Sequence, residues 1–239
     1  MVKGTWNLHV DDETDVEALS LKLGLQRVTG EADWHLVRAQ GTWTLTDRES
    51  RKLRIDFDQM GPDYHRKAPR GRTELLAKAL GSAKGLRRAV DLTAGLGQDA
   101  VFLSQLGFEV LGIERHPVLA FLLQQAKNST ERPDLQSLRF EHCQAEDFLR
   151  RMDLVKDLEV GYYDPMYPTK KKSALPRQEM VLFRELVGVD EDSETVALLA
   201  KEVLPRLVIK RPNDAQPLLP NPQHSFLGTT VRYDIYMRF

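Results

Sequence analysis

The chain has 239 residues, of which 41% are apolar and 29% charged, and its formal net charge is −1. This is the composition of an ordinary globular protein with room for one large domain, or a large one and a small one. It excludes the global basic field of a strong nucleic-acid binder, and the single cysteine, Cys143, excludes an intrachain disulfide and a cysteine-rich metal site.

Met1 to Asp12 lacks the charged-then-apolar layout of a signal peptide. No apolar run reaches the length of a membrane span, so a cytoplasmic protein is expected. Thr5–Val10 predicts a short strand. Val16–Leu25 has apolar residues at helical spacing and a stop at Gly24. Trp34–Arg38 and Trp43–Thr46 alternate around Gln40-Gly41, which predicts a hairpin, and Leu53–Phe57 alternates again. Residues 1–60 are expected to form a small α+β cap, with the main domain over residues 61–239. Residues 61–75 predict a loop rich in Gly, Pro and basic side chains, followed by a helix over Glu74–Ala79.

From Arg88 the pattern becomes strand, turn, helix, repeated. Strands are predicted at Ala89–Leu92, Phe108–Ile113, Leu138–Glu141, Leu158–Tyr163 and Arg206–Lys210. Helices are predicted at Ala100–Leu106, Val118–Lys127, Asp147–Met152 and Glu194–Leu204. Ser225–Leu227 and Thr229–Phe239 predict a closing hairpin. Strands alternating with helices imply a mostly parallel sheet, here of seven strands, with helices on both faces. Such sheets bind ligands at the carboxyl ends of their strands.

Five features carry chemistry. The first is Asp91-Leu92-Thr93-Ala94-Gly95-Leu96-Gly97-Gln98-Asp99, where glycines after a strand allow a tight turn and close approach to a ligand. It also matches G-x-G-x-x-A, so it leaves a dinucleotide and S-adenosylmethionine both open. Glu114, ending the second strand, is placed to accept hydrogen bonds from both ribose hydroxyls of an adenosine. Gln144-Ala145, after the third strand, stands where an adenine would lie. Glu146 and Asp147 are an alternative for that contact, or simply acids at a helix N-terminus.

The fourth feature is Asp164-Pro165-Met166-Tyr167-Pro168, closing the fourth strand. An exocyclic amine conjugated to a base is a poor nucleophile, and its N–H groups must be held so that nitrogen points at an electrophile. The Asp164 carboxylate and the Pro165 carbonyl supply two acceptors, proline sets the backbone direction, and Tyr167 offers a stacking surface. A dehydrogenase has no use for this device. It suits methylation of an amino nitrogen, and a plain structural turn is the bland alternative. The fifth feature is basic. Lys170-Lys171-Lys172 and Lys210-Arg211-Pro212 would lie on one rim, and with the 61–75 loop they favour phosphate contacts over a merely solvated face.

In this order D-x-T-A-G-L-G-x-D, E-R-x-P, D-P-M-Y-P-x-K-x-K-S-A-L and V-x-K-R-P resemble the ribosomal RNA small subunit methyltransferase J family. The resemblance runs from Asp56 to Tyr236. It implies a class I, Rossmann-like S-adenosylmethionine-dependent fold. It also implies methylation of a guanosine N2 amine in small-subunit (16S) ribosomal RNA, as free RNA or an assembled subunit, without a metal or a membrane. The catalytic residues implied are Asp164, Pro165 and Tyr167. Cofactor contacts are implied at Gln98, Asp99, Glu114, Arg115, Gln144, Ala145 and Asp164, to which the glycine turn adds Asp91, Gly95 and Gly97. From the basic residues themselves, RNA contacts are expected at His65, Arg66, Arg72, Lys170, Lys171, Lys172, Lys210 and Arg211. Gln98 stands where a relative carries arginine, and Gln144-Ala145 where it carries small hydroxyl residues. The residues alone also admit another base or a protein amide as substrate, an NAD-dependent oxidoreductase, and a non-catalytic RNA-binding assembly factor.

Overall fold

The computed structural model describes residues 2–11, 15–60, 70–167 and 178–238, without the side chains of 70–74. His65 and Arg66, Pro168, the run Lys170-Lys171-Lys172 and the side chain of Arg72 therefore lie outside the described part.

The N-terminal segment forms β1 (Thr5–Val10), α1 (Val16–Leu23), β2 (Gln26–Arg27), β3 (Trp34–Ala39), β4 (Thr42–Asp47) and β5 (Lys52–Leu53). The sheet order is β2-β1-β3-β4-β5. Asp15 caps α1 by accepting from the Glu17 and Ala18 amides, and Gly24 ends it in the left-handed region. Gln40 and Gly41 both have positive φ, 52° and 75°. That is the tight turn whose twist matches antiparallel strands, and β3 and β4 pair across it. The expected strand Leu53–Phe57 is cut short at Leu53. Ile55 and Phe57 are still buried, and Phe57 stacks on Phe140 of the second sheet rather than pairing in a strand.

Then follow α2 (Arg70–Leu80), β6 (Arg88–Asp91), α3 (Gln98–Gln105), β7 (Glu109–Glu114), α4 (Pro117–Ser129), β8 (Arg139–His142), α5 (Ala145–Leu149), α6 (Met152–Val155), β9 (Val160–Tyr163), α7 (Gln178–Val187), α8 (Ser193–Val203), β10 (Arg206–Pro212), β11 (His224–Leu227) and β12 (Val231–Met237). Three expectations need correction. The helix expected from Glu74 begins at Arg70, so residues 70–75 are helical rather than loop. The single helix expected at Asp147–Met152 is two short ones. Helix α7 was not anticipated, although Met180, Phe183 and Val187 carry helical spacing and Gly188 follows as a stop.

The second sheet has the order β11-β12-β10-β9-β6-β7-β8. Strands β8, β7, β6, β9 and β10 run parallel, and β12 returns antiparallel between β10 and β11. Neighbouring residues alternate between its two faces, as strand geometry requires. Ala89, Tyr162, Val208 and Ile235 pack with α2, α3 and α4. Val90, Tyr163, Leu207, Ile209 and Tyr236 pack with α5, α6 and α8. The chain leaves β6 towards β7 and β8, then re-enters at β9 on the other side of β6, which makes the β6–β9 edge the switch point.

The two sheets share one core. Trp43 of β4 meets Phe121 of α4 edge-on at 4.9 Å, and Phe57 stacks on Phe140 of β8 at 5.7 Å. Arg132 donates to the carbonyls of Phe57 (2.7 Å) and Met60 (2.6 Å). Among the described residues no helix is long and apolar enough to cross a membrane.

Because Trp43 and Phe121 belong to the same apolar cluster, Trp43→Ala is expected to destabilise the whole chain by about 3 kcal/mol. Denaturant unfolding followed by circular dichroism should show one transition at a lower midpoint. An early transition confined to the N-terminal sheet, with the rest unchanged, would contradict the shared core.

Candidate active site

A cavity of about 1010 Å³ opens at the carboxyl ends of β6, β7, β9 and β10. Its floor is the turn after β6. There the Ala94 amide donates to the Ile113 carbonyl (2.9 Å) and the Gly97 amide to the Ala94 carbonyl (2.7 Å). Gly95 and Gly97 have φ of 55° and 79°, a region that L side chains rarely adopt.

Glu114, ending β7, is buried yet lines the cavity. One carboxylate oxygen accepts from the Gly95 amide (2.9 Å) and the other from the His116 amide (2.7 Å). An ionised carboxylate offers about four lone-pair positions, so acceptor capacity remains for a pair of vicinal hydroxyls. Burial pushes the Glu114 carboxyl up to about 7, against the two backbone amides that favour its ionised form. Gln144 and Ala145, at the start of α5, line the same end. Glu146 and Asp147 do not, and Glu146 pairs with Arg150 at 2.6 Å.

Asp164 follows β9. Its amide donates to the Thr93 hydroxyl (2.8 Å), and the Thr93 amide donates to Asp91 (3.0 Å), which ties the tetrapeptide to the turn after β6. Pro165 disfavours helical backbone at Asp164. The Met166 amide donates to Asp190 (2.5 Å), which also pairs with Arg115 (2.7 Å). Arg115 donates further to the carbonyls of Val187 (3.0 Å) and Val189 (3.4 Å). The Tyr167 hydroxyl donates to the Lys210 carbonyl (3.2 Å), and the Arg211 guanidinium lies 4.1 Å over the Tyr167 ring.

Two expected site residues lie behind the cavity wall. Asp91 is completely buried, and burial, with Asp99 and Asp164 nearby, pushes its carboxyl up to about 8. A Cβ at Gly97 would come within 2.8 Å of Leu123 and 3.0 Å of Phe57, so this glycine serves close packing beneath the turn. A third expectation, Lys210 as a phosphate contact, does not match its geometry. Its ammonium turns inward to Asp164 (2.6 Å) and Asp99 (3.0 Å), and only 14% of the side chain is exposed. Arg211 stays at the mouth, with its guanidinium donating to the Gln216 carbonyl at 2.6 and 3.0 Å.

Gly95, Gln98, Asp99, Glu114, Arg115, Gln144, Ala145, Asp164, Pro165, Tyr167, Lys210 and Arg211 all line this one cavity. Sequence reasoning missed Thr93, Asp190 and the α7 wall of Met180, Phe183, Arg184 and Val187. The α7 face carries i, i+3, i+4, i+7 spacing that was readable. The Arg115–Asp190 pair joins residues far apart in the chain and has no local signal.

Comparison with known proteins bears on the family and the fold. A family model described as "Putative SAM-dependent methyltransferase" matches residues 18–238. Proteins named ribosomal RNA small subunit methyltransferase J are similar over most of the chain. The one from Bdellovibrio bacteriovorus is 48% identical over 205 residues, covering 84% of this chain and 80% of the relative. The one from Coxiella burnetii is 39% identical over 77% of this chain and 74% of the relative. The one from Legionella pneumophila is 35% identical over 98% of this chain and 95% of the relative. The crystal structure of a SAM-dependent methyltransferase from Neisseria gonorrhoeae superposes with a TM-score of 0.72 at 28% identity, covering 96% of this chain and 95% of that one.

Hydroxyls donating to Glu114 would favour its ionised form, so an adenosine ligand should bind more tightly as pH rises through about 7. Calorimetric titration with S-adenosylhomocysteine between pH 6 and 8.5 should show weakening of up to about tenfold per unit below the midpoint. Glu114→Gln should flatten that dependence. Wild-type affinity independent of pH would count against a ribose contact at Glu114.

Proposed function

We propose, from the premise that this chain belongs to the ribosomal RNA small subunit methyltransferase J family, that it methylates the N2 amine of a guanosine in small-subunit ribosomal RNA. The coarser activity, S-adenosylmethionine-dependent methylation of ribosomal RNA, rests on the family itself. The observation that carries the amino-nitrogen assignment is the tetrapeptide from Asp164 to Tyr167, held at the switch point on the wall of the cavity that also contains Glu114.

The residues present fit the cofactor. Glu114 keeps acceptor capacity inside the cavity, the backbone at Gly95 carries no side chain, and Gln144-Ala145 lines the same cavity. When bound, S-adenosylmethionine supplies an electrophilic methyl group on a sulfonium.

The chain's own task is to aim the amine. A guanine N2 group has two N–H bonds, which the Asp164 carboxylate and the Pro165 carbonyl would accept. With both directions taken, the nitrogen lone pair faces the methyl donor, and orientation of this kind accounts for a large share of a rate enhancement. Tyr167 and the guanidinium over it form a flat platform at the mouth, suited to an unstacked base. The attacking amine is neutral, and after transfer its proton leaves to water or to Asp164. Arg211 is a described basic residue lining the cavity. With His65, Arg66, Arg72 and Lys170-Lys171-Lys172 it belongs to the proposed RNA contacts.

Asp164→Ala is expected to lower methyl transfer to small ribosomal subunits by about a hundredfold or more, measured with isotopically labelled S-adenosylmethionine. Near-normal transfer would sink the role given to Asp164. Nucleoside mass spectrometry of a strain lacking the protein should show loss of N2-methylguanosine from small-subunit RNA. Loss of a different methylated nucleoside, or of none, would redirect the substrate assignment.

A further inference from the structure

The basic run at the end of β10 is expected to serve RNA phosphates, and Lys210 departs from that. A phosphate-binding lysine reaches outward into solvent. Lys210 is largely buried and makes two short ion pairs, with Asp164 at 2.6 Å and Asp99 at 3.0 Å. Asp99 is held from a second side by the Tyr162 hydroxyl at 2.6 Å. The main chain of residue 210 does separate work, because its carbonyl accepts the Tyr167 hydroxyl. One residue of β10 therefore grips both ends of the Asp164–Tyr167 segment.

We propose that Lys210 is a positioning residue for the reaction, its buried ammonium holding the Asp164 carboxylate ionised and aimed at the substrate amine. The inference rests on the amino-methylation reading above.

The charged surroundings require such a cation. Asp91 from β6 and Asp99 from α3 both bear on this corner, together with Asp164 and the phenols Tyr162 of β9, Tyr167 and Tyr233 of β12. Packed carboxylates repel, and burial alone drives them to take up protons. A protonated Asp164 would present a donor where the amine needs an acceptor. The ammonium prevents this. Burial pulls the Lys210 ammonium down, but the charges of Asp164 and Asp99 outweigh it and hold it above its ordinary value. Lys210 thus keeps its proton throughout and is no general base. Its compact, three-donor head also suits two carboxylates that approach from different elements.

The test uses the full chain with Lys210→Gln and Lys210→Arg, each checked for folding by thermal melting. Asp164 is titrated by carboxylate carbon NMR, its signal identified by its loss in Asp164→Asn. The turnover number is measured against pH with small ribosomal subunits. In Lys210→Gln the Asp164 midpoint should rise by about one unit or more. The acid limb of the turnover number should move the same way, so that turnover on that limb falls about tenfold for each pH unit it moves, with the KM for S-adenosylmethionine little changed. Lys210→Arg, which keeps the charge, should recover much of the turnover and return the limb towards wild type. Lys210→Met, similar in length, provides the same titration if Lys210→Gln folds poorly. An unmoved Asp164 midpoint in a folded, uncharged variant overturns the proposal. So does a loss confined to the KM for RNA and its salt dependence, which would restore the phosphate role. The NMR titration needs no turnover. A wild-type protein inactive on guanine N2 would therefore count against the function proposed above and leave this inference to its own measurement.

Discussion

Carboxylates removed from water must be met by donors, and the architecture around the switch point is organised by that requirement. Glu114 is met by two backbone amides, Asp91 by one, Asp190 by an amide and a guanidinium, and Asp164 and Asp99 by a shared ammonium. Each donor comes from a different element from its acceptor or from a turn beside it. The positions of β6, β7, β9 and β10 and of the turns after them are therefore tied to one another through charge as well as through the sheet.

These acids differ in how completely they are answered. Among the described residues Asp91 has one oxygen with no hydrogen-bonding partner, and burial, with like charges nearby, pushes its carboxyl up. Asp164 faces the cavity and has a close cation. Burial and neighbouring charge separate carboxyl groups that are near in space, and such separation is how one site can combine a neutral acid with an ionised acceptor. The backbone beneath is rigid for an independent reason. Gly97 lets Leu123 and Phe57 close under the turn, and Phe57 belongs to the segment leaving the first sheet. The segment leaving the small sheet thus supports the cavity floor through apolar contact.

Much of the second sheet was legible because its strands, buried on both faces, are short continuous apolar runs between turn residues. The glycine turn, Glu114 and Asp164 were legible for the same reason, since strand ends are marked in the chain. Ile55 and Phe57 misled because alternation reports burial on one side and not the presence of a paired strand. The start of α2 at Arg70 misled because Gly71 and the basic residues around it read as loop, while helix formation there depends on the packing of Leu76, Ala79 and Leu80. Helix α7 carried its own signal in Met180, Phe183 and Val187 and was passed over beside the basic run before it.

By itself the sequence determined the alternation of strands and helices, the order of the motifs and their attachment to strand ends, because these depend on local periodicity and on backbone demands at glycine and proline. The tertiary structure decided which charges meet. Lys210 and Arg211 are adjacent and equally basic in the chain, yet one points into a nest of carboxylates and the other over a tyrosine ring. Successive residues of a strand face opposite ways, and what lies on each side comes from β6, α3 and β9, segments whose approach no local pattern records.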